Sequence, residues 1–323
     1  MHAFSRWMAL ATLLSGLAAH ADKNDLRIVD LGAPESRWQE TYDPTAHSKF
    51  KAFARTIAAS LTSVNLMPPE TLGHAAFNIS AELSVVSLPS RESVFIPMEG
   101  GQPSTVLVPS FHVRKGLPFS VELGGRVGWV ERSRMMAATG ELKWAVNEGF
   151  TYLPDIGVRG HVTKLMGVQN LSLTSVGLDA GIGKQFPLGG MVTLTPYGGL
   201  DFNFVRAISP RMFFAPNACL TPEQGQERDG PTPTPENWRR PLCPSEGDPR
   251  TLVENAYYYK RLKFQDNMTQ RIYGGARFIG GVLQLGAEIS FTRLGSAPVA
   301  DDSKETRGLP TVVTFNTSLG LDF

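Results

Sequence analysis

The residues best equipped for chemistry are charged side chains that recur at every second position within runs of alternating polarity. Glu82, Glu122, Glu141, Asp179, Asp201, Glu288 and Asp322 supply the acids, and Arg114, Arg126, Arg132, Lys143, Arg159, Arg271 and Arg277 the bases. The two sets nearly balance. Confined together, ionised groups without partners would be costly, so a cross-strand network of ion pairs is the expected arrangement. We place Glu82, Arg114, Glu122, Arg126, Glu141, Lys143, Arg159, His161, Asp179, Asp201, Arg277 and Glu288 in it. Such a set can pin and plug an interior. The same residues could instead line a narrow polar pathway or an Arg-rich, ligand-sized pocket.

Histidine beside carboxylate is the usual route to acid–base chemistry. Beyond the first 21 residues the histidines are His47, His74, His112 and His161. His112 precedes Val-Arg-Lys and His161 precedes Val-Thr-Lys, and both are expected as polar network members, with no catalytic residue assigned. No Cys/His cluster has metal-ligand spacing. Gly181, Gly183, Gly189 and Gly190 flank strand ends rather than forming a phosphate loop. Neither metal nor cofactor is expected, and Asp301-Asp302 is expected as a solvated loop pair.

The elements that must position these groups are strands. From Leu309 to Phe323, Val313, Phe315, Leu319, Leu321 and Phe323 share one parity, and Thr314, Asn316, Ser318, Gly320 and Asp322 the other. The same period of two starts at Gly73. It continues through Thr105–Lys115, Phe119–Arg132, Met136–Asn147, Pro154–Met166 and Thr174–Phe186. The run after Gly190, then Thr269–Gly280 and the return through Phe291, bring the total to about ten strands. Apolar parity slips between Leu173 and Val176, which predicts a loop or bulge there. Ser209 to Asp266 breaks the pattern. It is rich in Pro, Glu, Gln and Arg, holds Cys219 and Cys243, and ends with Tyr257-Tyr258-Tyr259, expected in an aromatic girdle or a strand extension.

If the last strand descends to the periplasm, the connections near Gly116, Glu148–Leu153, Pro187–Gly190 and Gly280-Gly281 fall on that side and are short. Pro89–Ser104, Ser133–Met135, Gly167–Leu173, Ser209–Asp266 and Gly295–Gly308 fall outside, and the long ones are among them. Segregation of loop length by side is a property of membrane barrels, not of soluble sandwiches. Glycine is abundant at 32 residues and charge is sparse at 19%, which suits strands that bend. The net charge of +1 gives no reason to expect a nucleic-acid partner.

The N-terminus has the form of a secretory signal over residues 1–21. Arg6 supplies the charge, Trp7–Leu17 the apolar stretch and Ala19-His20-Ala21 the cleavage site. Export puts Cys219 and Cys243 in an oxidising compartment, where one disulfide is expected. It would close a loop of about 25 residues and contribute roughly 3 kcal/mol. Residues 22–72 form a separate periplasmic segment. Phe50, Phe53, Ala54, Ile57, Ala58 and Leu61 lie at helical spacing after Asp43-Pro44-Thr45 and before Met67-Pro68-Pro69, with Lys49, Lys51 and Arg55 mostly off that face. That stripe could plug or cap a barrel, or lie along the membrane interface.

The leader, the alternating strands, the loop asymmetry and the terminal Phe323 together resemble bacterial outer-membrane β-barrel proteins over residues 73–323. The run HVRKGLPFSVELGGRVGW is similar to barrels common in myxobacteria and their relatives. The resemblance implies an all-β antiparallel transmembrane barrel in the bacterial outer membrane, with Phe323 as its assembly signal. It implies outer-membrane lipid, lipopolysaccharide and the barrel assembly machinery as partners, alongside a possible extracellular or periplasmic protein. The function expected is non-enzymatic: a narrow channel or transport protein, or a surface-loop scaffold. The alternatives are an outer-membrane lipid or peptide hydrolase and a hydrophobic-substrate transporter plugged by the N-terminal helix. Against the hydrolase, the His-x-Ser-Asn pattern of barrel phospholipases is absent.

Overall fold

In a computed structural model, residues 22–34, 42–62, 64–150, 152–189, 192–212 and 258–323 are described below. The signal segment, Cys219, Cys243 and Tyr257 lie outside them.

Ten long strands form one antiparallel barrel. They are β1 (Phe77–Ser87), β2 (Thr105–Leu117), β3 (Val121–Trp129), β4 (Met136–Asn147), β5 (Asp155–Met166) and β6 (Ser172–Gly183), then β8 (Val192–Ile208), β9 (Met268–Gly280), β10 (Leu283–Arg293) and β13 (Thr311–Asp322). Each pairs with its sequence neighbours, β1 joins β13 and β6 joins β8, so the ring closes without an edge. The short β7 (Phe186–Leu188) folds onto β8, and β11 (Ser296–Pro298) pairs with β12 (Thr306–Gly308) as a separate hairpin. Phe77 and Phe323 exchange backbone hydrogen bonds at the seam, 2.7 and 2.9 Å, and their rings lie 5.5 Å apart. We call this end the C-terminal rim and the opposite end the loop rim.

The alternation has the physical meaning the pattern required. One parity is buried, and the other exposes Leu123, Trp129, Leu142, Trp144, Leu178, Leu200, Ile272, Leu285, Phe315 and Leu319 around the outside. A continuous apolar exterior around a closed polar-lined ring is the solution a bilayer demands, because no backbone group is left unpaired in hydrocarbon. No helix among the described residues is long and apolar enough to cross a membrane, which says nothing against crossing by strands.

Several local readings change. Phe119 and Ser120 leave the third strand for a tight turn with φ of 66° and 57°, so that strand starts at Val121. There is no bulge at Leu173–Val176, because β6 pairs in continuous register with β5 and β8 through that stretch. Leu173 is an inward-facing residue that meets an apolar cap, described next. The register irregularity lies instead in β4, between Ala145 and Asn147.

The helix α1 (Ala46–Leu61) packs across the loop rim. Phe50, Phe53, Ala54, Ile57, Ala58 and Leu61 are buried. They share one core with the inward residues of the strand ends, among them Val86, Val106, Val108, Val130, Leu165, Leu173, Val205 and Val312. Polar lining therefore gives way to apolar lining where the strands meet the helix. Residues 88–104 and 294–310 connect strands at this rim, as do the shorter 130–135 and 167–171, whereas 118–120 and 281–282 suffice at two of the turns on the other.

A lumen occupied by the chain itself as the candidate functional site

After α1 the chain enters the barrel. Residues 64–72 run through the lumen toward the C-terminal rim, and the strands hold their backbone from all sides. Arg159 reaches Val64 O at 3.4 Å and Arg114 donates to Asn65 O at 2.9 Å. Glu288 accepts from Leu66 N–H at 2.9 Å, and Lys143 donates to Pro68 O and Glu70 O at 3.4 and 2.9 Å. Glu122 accepts from Leu72 N–H at 3.1 Å, Glu148 from Thr71 N–H at 2.7 Å, and Arg277 pairs with Glu70. Apart from Arg277, which meets the Glu70 carboxylate, bases bind carbonyls and acids bind amides, so these charges also satisfy backbone groups of the enclosed segment.

Three glycines make room for this path. A Cβ on Gly157 would stand 2.7 Å from Pro69 O, one on Gly183 2.8 Å from Pro69 Cδ, and one on Gly116 1.9 Å from Gly73 O where the segment leaves the barrel.

The charged groups also pair with one another across strands. His112 spans Glu82 (Nδ1 to Oε1, 2.8 Å) and Glu141 (Nε2 to Oε1, 2.8 Å). Arg126 holds the other oxygen of Glu82 at 2.7 Å, and Arg159 bridges Glu141 and Asp179 at 2.8 and 3.0 Å. Lys143 pairs with Glu122 at 3.0 Å. Asp201 receives His161 at 3.2 Å and Arg271 at 3.5 Å. Tyr273 donates to Asp179 at 2.7 Å, and Tyr197 donates to Glu288 at 3.2 Å.

All twelve residues assigned to the network from the sequence, from Glu82 to Glu288, lie buried on the inward parity. Arg132 does not join them: it stands exposed in a turn at the loop rim with φ of 53°, beside Glu131. The sequence reading omitted the tyrosines as anchors and gave no sign that residues 64–72 were the network's main partner. The double proline at 68–69, which fills space without donating hydrogen bonds, was the available signal.

The cap has its own polar fastenings. Arg55, expected off the buried face, is itself buried. It donates to Leu294 O, Ser296 O and Asp266 O at 2.9, 2.9 and 2.8 Å, and to Asn267 Oδ1 at 3.2 Å. Asp301 is not simply a solvated loop residue. Its carboxylate accepts from His47 N–H and Ser48 N–H at 3.0 and 2.8 Å, taking up free donors at the start of α1. Tyr259 leaves the expected girdle to stack on Phe50 at 4.8 Å between ring centres. Its hydroxyl lies within reach of Ile28 O and Gly32 O, at 3.0 and 2.9 Å, and shares its one hydrogen between them. Burial, then Asp30 and Asp43, push its phenol above the ordinary range. Burial opposes ionisation of Asp25, but hydrogen bonds from Arg134 and Asp22 N–H and the Ser133 hydroxyl leave its carboxyl below the ordinary range. Asp43 is lowered in the same way, with Lys49 and Thr45 outweighing burial.

No protein-family model matches the chain, and no curated protein matches it. Among solved structures it is similar to the attachment invasion locus protein Ail of Yersinia pestis, at 10% identity and a TM-score of 0.26 over 77% of this chain and 99% of that one. It is similar to the outer membrane protease OmpT of Escherichia coli, at 8% identity and 0.32 over 81% and 99%. The outer membrane protein OprG of Pseudomonas aeruginosa gives 9% and 0.26 over 79% and 99%. At TM-scores of this size no functional argument passes from them to this chain. The barrel is established by its own pairing and exterior: the chain folds as a closed ten-stranded antiparallel β-barrel whose apolar outside suits a bilayer.

Proposed function

We propose that this protein is a self-plugged, non-enzymatic outer-membrane scaffold that works through the cap and loops at its loop rim. The observation that carries the reading is the lumen: residues 64–72 fill its C-terminal half and α1 closes the other. An ion would have to displace backbone held by buried, paired charges. The histidine–carboxylate pairs stand where a substrate would first have to dislodge the plug, with His112, Glu82, Glu141, His161 and Asp201 side chains at most 3% exposed. This favours the scaffold over both the open channel and the hydrolase.

Loop lengths support an orientation with the C-terminal rim in the periplasm and the loop rim outside. In that orientation α1 and residues 22–34 stand at the cell surface, rather than in the periplasm as first expected. Planar-bilayer recordings test the plug. The intact protein gives no steady conductance, and deletion of residues 22–72 produces stepwise ion currents. Steady conductance by the intact protein refutes the reading. Lys23→Cys, with Cys219 and Cys243 replaced by Ser, tests the orientation. It is labelled on intact cells by a membrane-impermeant maleimide, and labelling only after lysis reverses the assignment.

A further inference from the structure

The acids of the lumen are not all neutralised alike. Glu82, Glu122, Glu141, Asp179 and Asp201 each meet an arginine or lysine within ion-pair distance. Glu288 of β10 is as deeply buried, at 2% exposed, and meets none among the described residues. Its Oε2 accepts from Leu66 N–H and the Tyr197 hydroxyl, but its Oε1 is buried with no hydrogen-bond partner among them. Beside it the wall carries neutral oxygens. Asn316 of β13 pairs with Glu288 in the ladder, and Ser318 pairs with Gly286. The Asn316 amide and the Ser318 hydroxyl are buried and likewise have no partner among the described residues. The enclosed segment supplies a further oxygen. Leu66 has a φ of 50°, a left-handed conformation that leucine rarely adopts. Its N–H meets Glu288, and its carbonyl lies on the Gly286 side. A Cβ on Gly286 would fall against Ser318 Oγ and stand 3.4 Å from Leu66 O, so the two oxygens converge over this glycine.

A buried carboxylate without a counter-charge is costly. Water can satisfy the hydroxyl and the amide but cannot neutralise the acid. A singly charged cation does both. We infer that Glu288, Asn316, Ser318 and the Leu66 carbonyl form a binding site for an alkali-metal cation, which ties the enclosed segment to β10 and β13. Irregular backbone carbonyls are donors of the kind that hold sodium in membrane proteins. One carboxylate among neutral oxygens matches a single positive charge. Among the described residues no three His, Cys, Asp or Glu side chains group to hold a metal ion, so the donor set does not suit calcium or a transition metal. The site requires residues 64–72 inside the barrel, but neither the scaffold role nor the orientation proposed above.

The full-length protein tests the site when folded from urea into detergent micelles in sodium, potassium or tetramethylammonium chloride at equal ionic strength. Tetramethylammonium screens charge equally but is too large to be enclosed. Sodium or potassium raises the thermal midpoint of the wild type, read by heat-modifiable gel mobility, and the rise saturates with concentration. Glu288→Gln folds without this dependence, and Ser318→Ala needs roughly tenfold more cation for half the rise. Glu99→Gln, which alters a partly exposed acid at the loop rim, behaves as the wild type. Crystals of the wild type grown with thallium(I) show anomalous density within reach of Leu66 O and Ser318 Oγ, a readout that holds even if Glu288→Gln does not fold. Equal midpoints in the three salts, or the absence of that density, overturns the site and leaves Glu288 neutralised by a proton. Cation dependence that survives Glu288→Gln puts the ion elsewhere and overturns it as well.

Discussion

Replacing Arg159 with methionine isolates the contribution of the lumen network. The guanidinium joins Glu141 to Asp179 at 2.8 and 3.0 Å and reaches Val64 O, with its side chain 2% exposed. Methionine nearly conserves the volume but leaves two carboxylates short of a counter-charge. Breaking a buried pair in this way costs about 3–5 kcal/mol. Glu141 keeps His112 and Arg114, and Asp179 keeps Tyr273, so the lower end, about 3 kcal/mol, is the expected loss. Urea unfolding in detergent micelles reads it through the fluorescence of Trp129 and Trp144, which face outward. Adding Asp179→Asn recovers at least about 1 kcal/mol, because contacting members of one network do not add independently. Because the pair is buried, the loss persists in high salt. A loss below about 1 kcal/mol, or one that disappears with salt as for an exposed pair, refutes the plugged-lumen reasoning.

Arg55→Met deprives Leu294, Ser296 and Asp266 carbonyls of a charged donor, so protease cleavage within α1 accelerates while the barrel stays intact. Phe50→Ala removes the stack on Tyr259 and destabilises the cap by about 3–5 kcal/mol, seen as faster hydrogen exchange across residues 46–61. Asp25 and Asp43 ionise more readily folded than unfolded. The stability they lend is therefore present above their unfolded pKa of about 4 and is lost as pH falls through the lower folded values. Protection of the cap amides, taken relative to their intrinsic exchange rate at each pH, falls from pH 5 to pH 3, and unchanged protection contradicts that linkage. Deletion of Phe323 removes its hydrogen bonds and ring contact with Phe77 at the seam, and lowers the amount of correctly assembled barrel in the membrane fraction.

Much of the barrel was legible because a period of two admits one arrangement once the outside is lipid. Glu122, Glu141 and Lys143 declared their facing by their apolar neighbours Leu123, Leu142 and Trp144. Legibility failed where both faces of a strand turn apolar. Leu173 looked like a slipped register because the pattern carries no mark of a helix lying inside the mouth. Arg55 looked solvated because helical spacing shows which face a residue is on but not what else packs there. The route of residues 64–72 left no trace beyond its double proline, for a further reason. Its contacts are mainly to backbone atoms, and any side chain at those positions presents the same carbonyls and amides.

The enclosed segment has a mechanical consequence. A strand ring closed by continuous pairing encircles residues 64–72, with the folded helix on one side and β1 covalently continuous on the other. In the vocabulary of interlocked molecules this is a lasso: the thread is tied to the ring that surrounds it, and α1 is the stopper. It cannot slip free while both ring and stopper are folded. Assembly therefore has an order. The thread must be in place before both the seam from Asn78–Asp322 to Ser87–Val313 has zipped and α1 has folded, and whichever of those two steps comes last is the one that locks it.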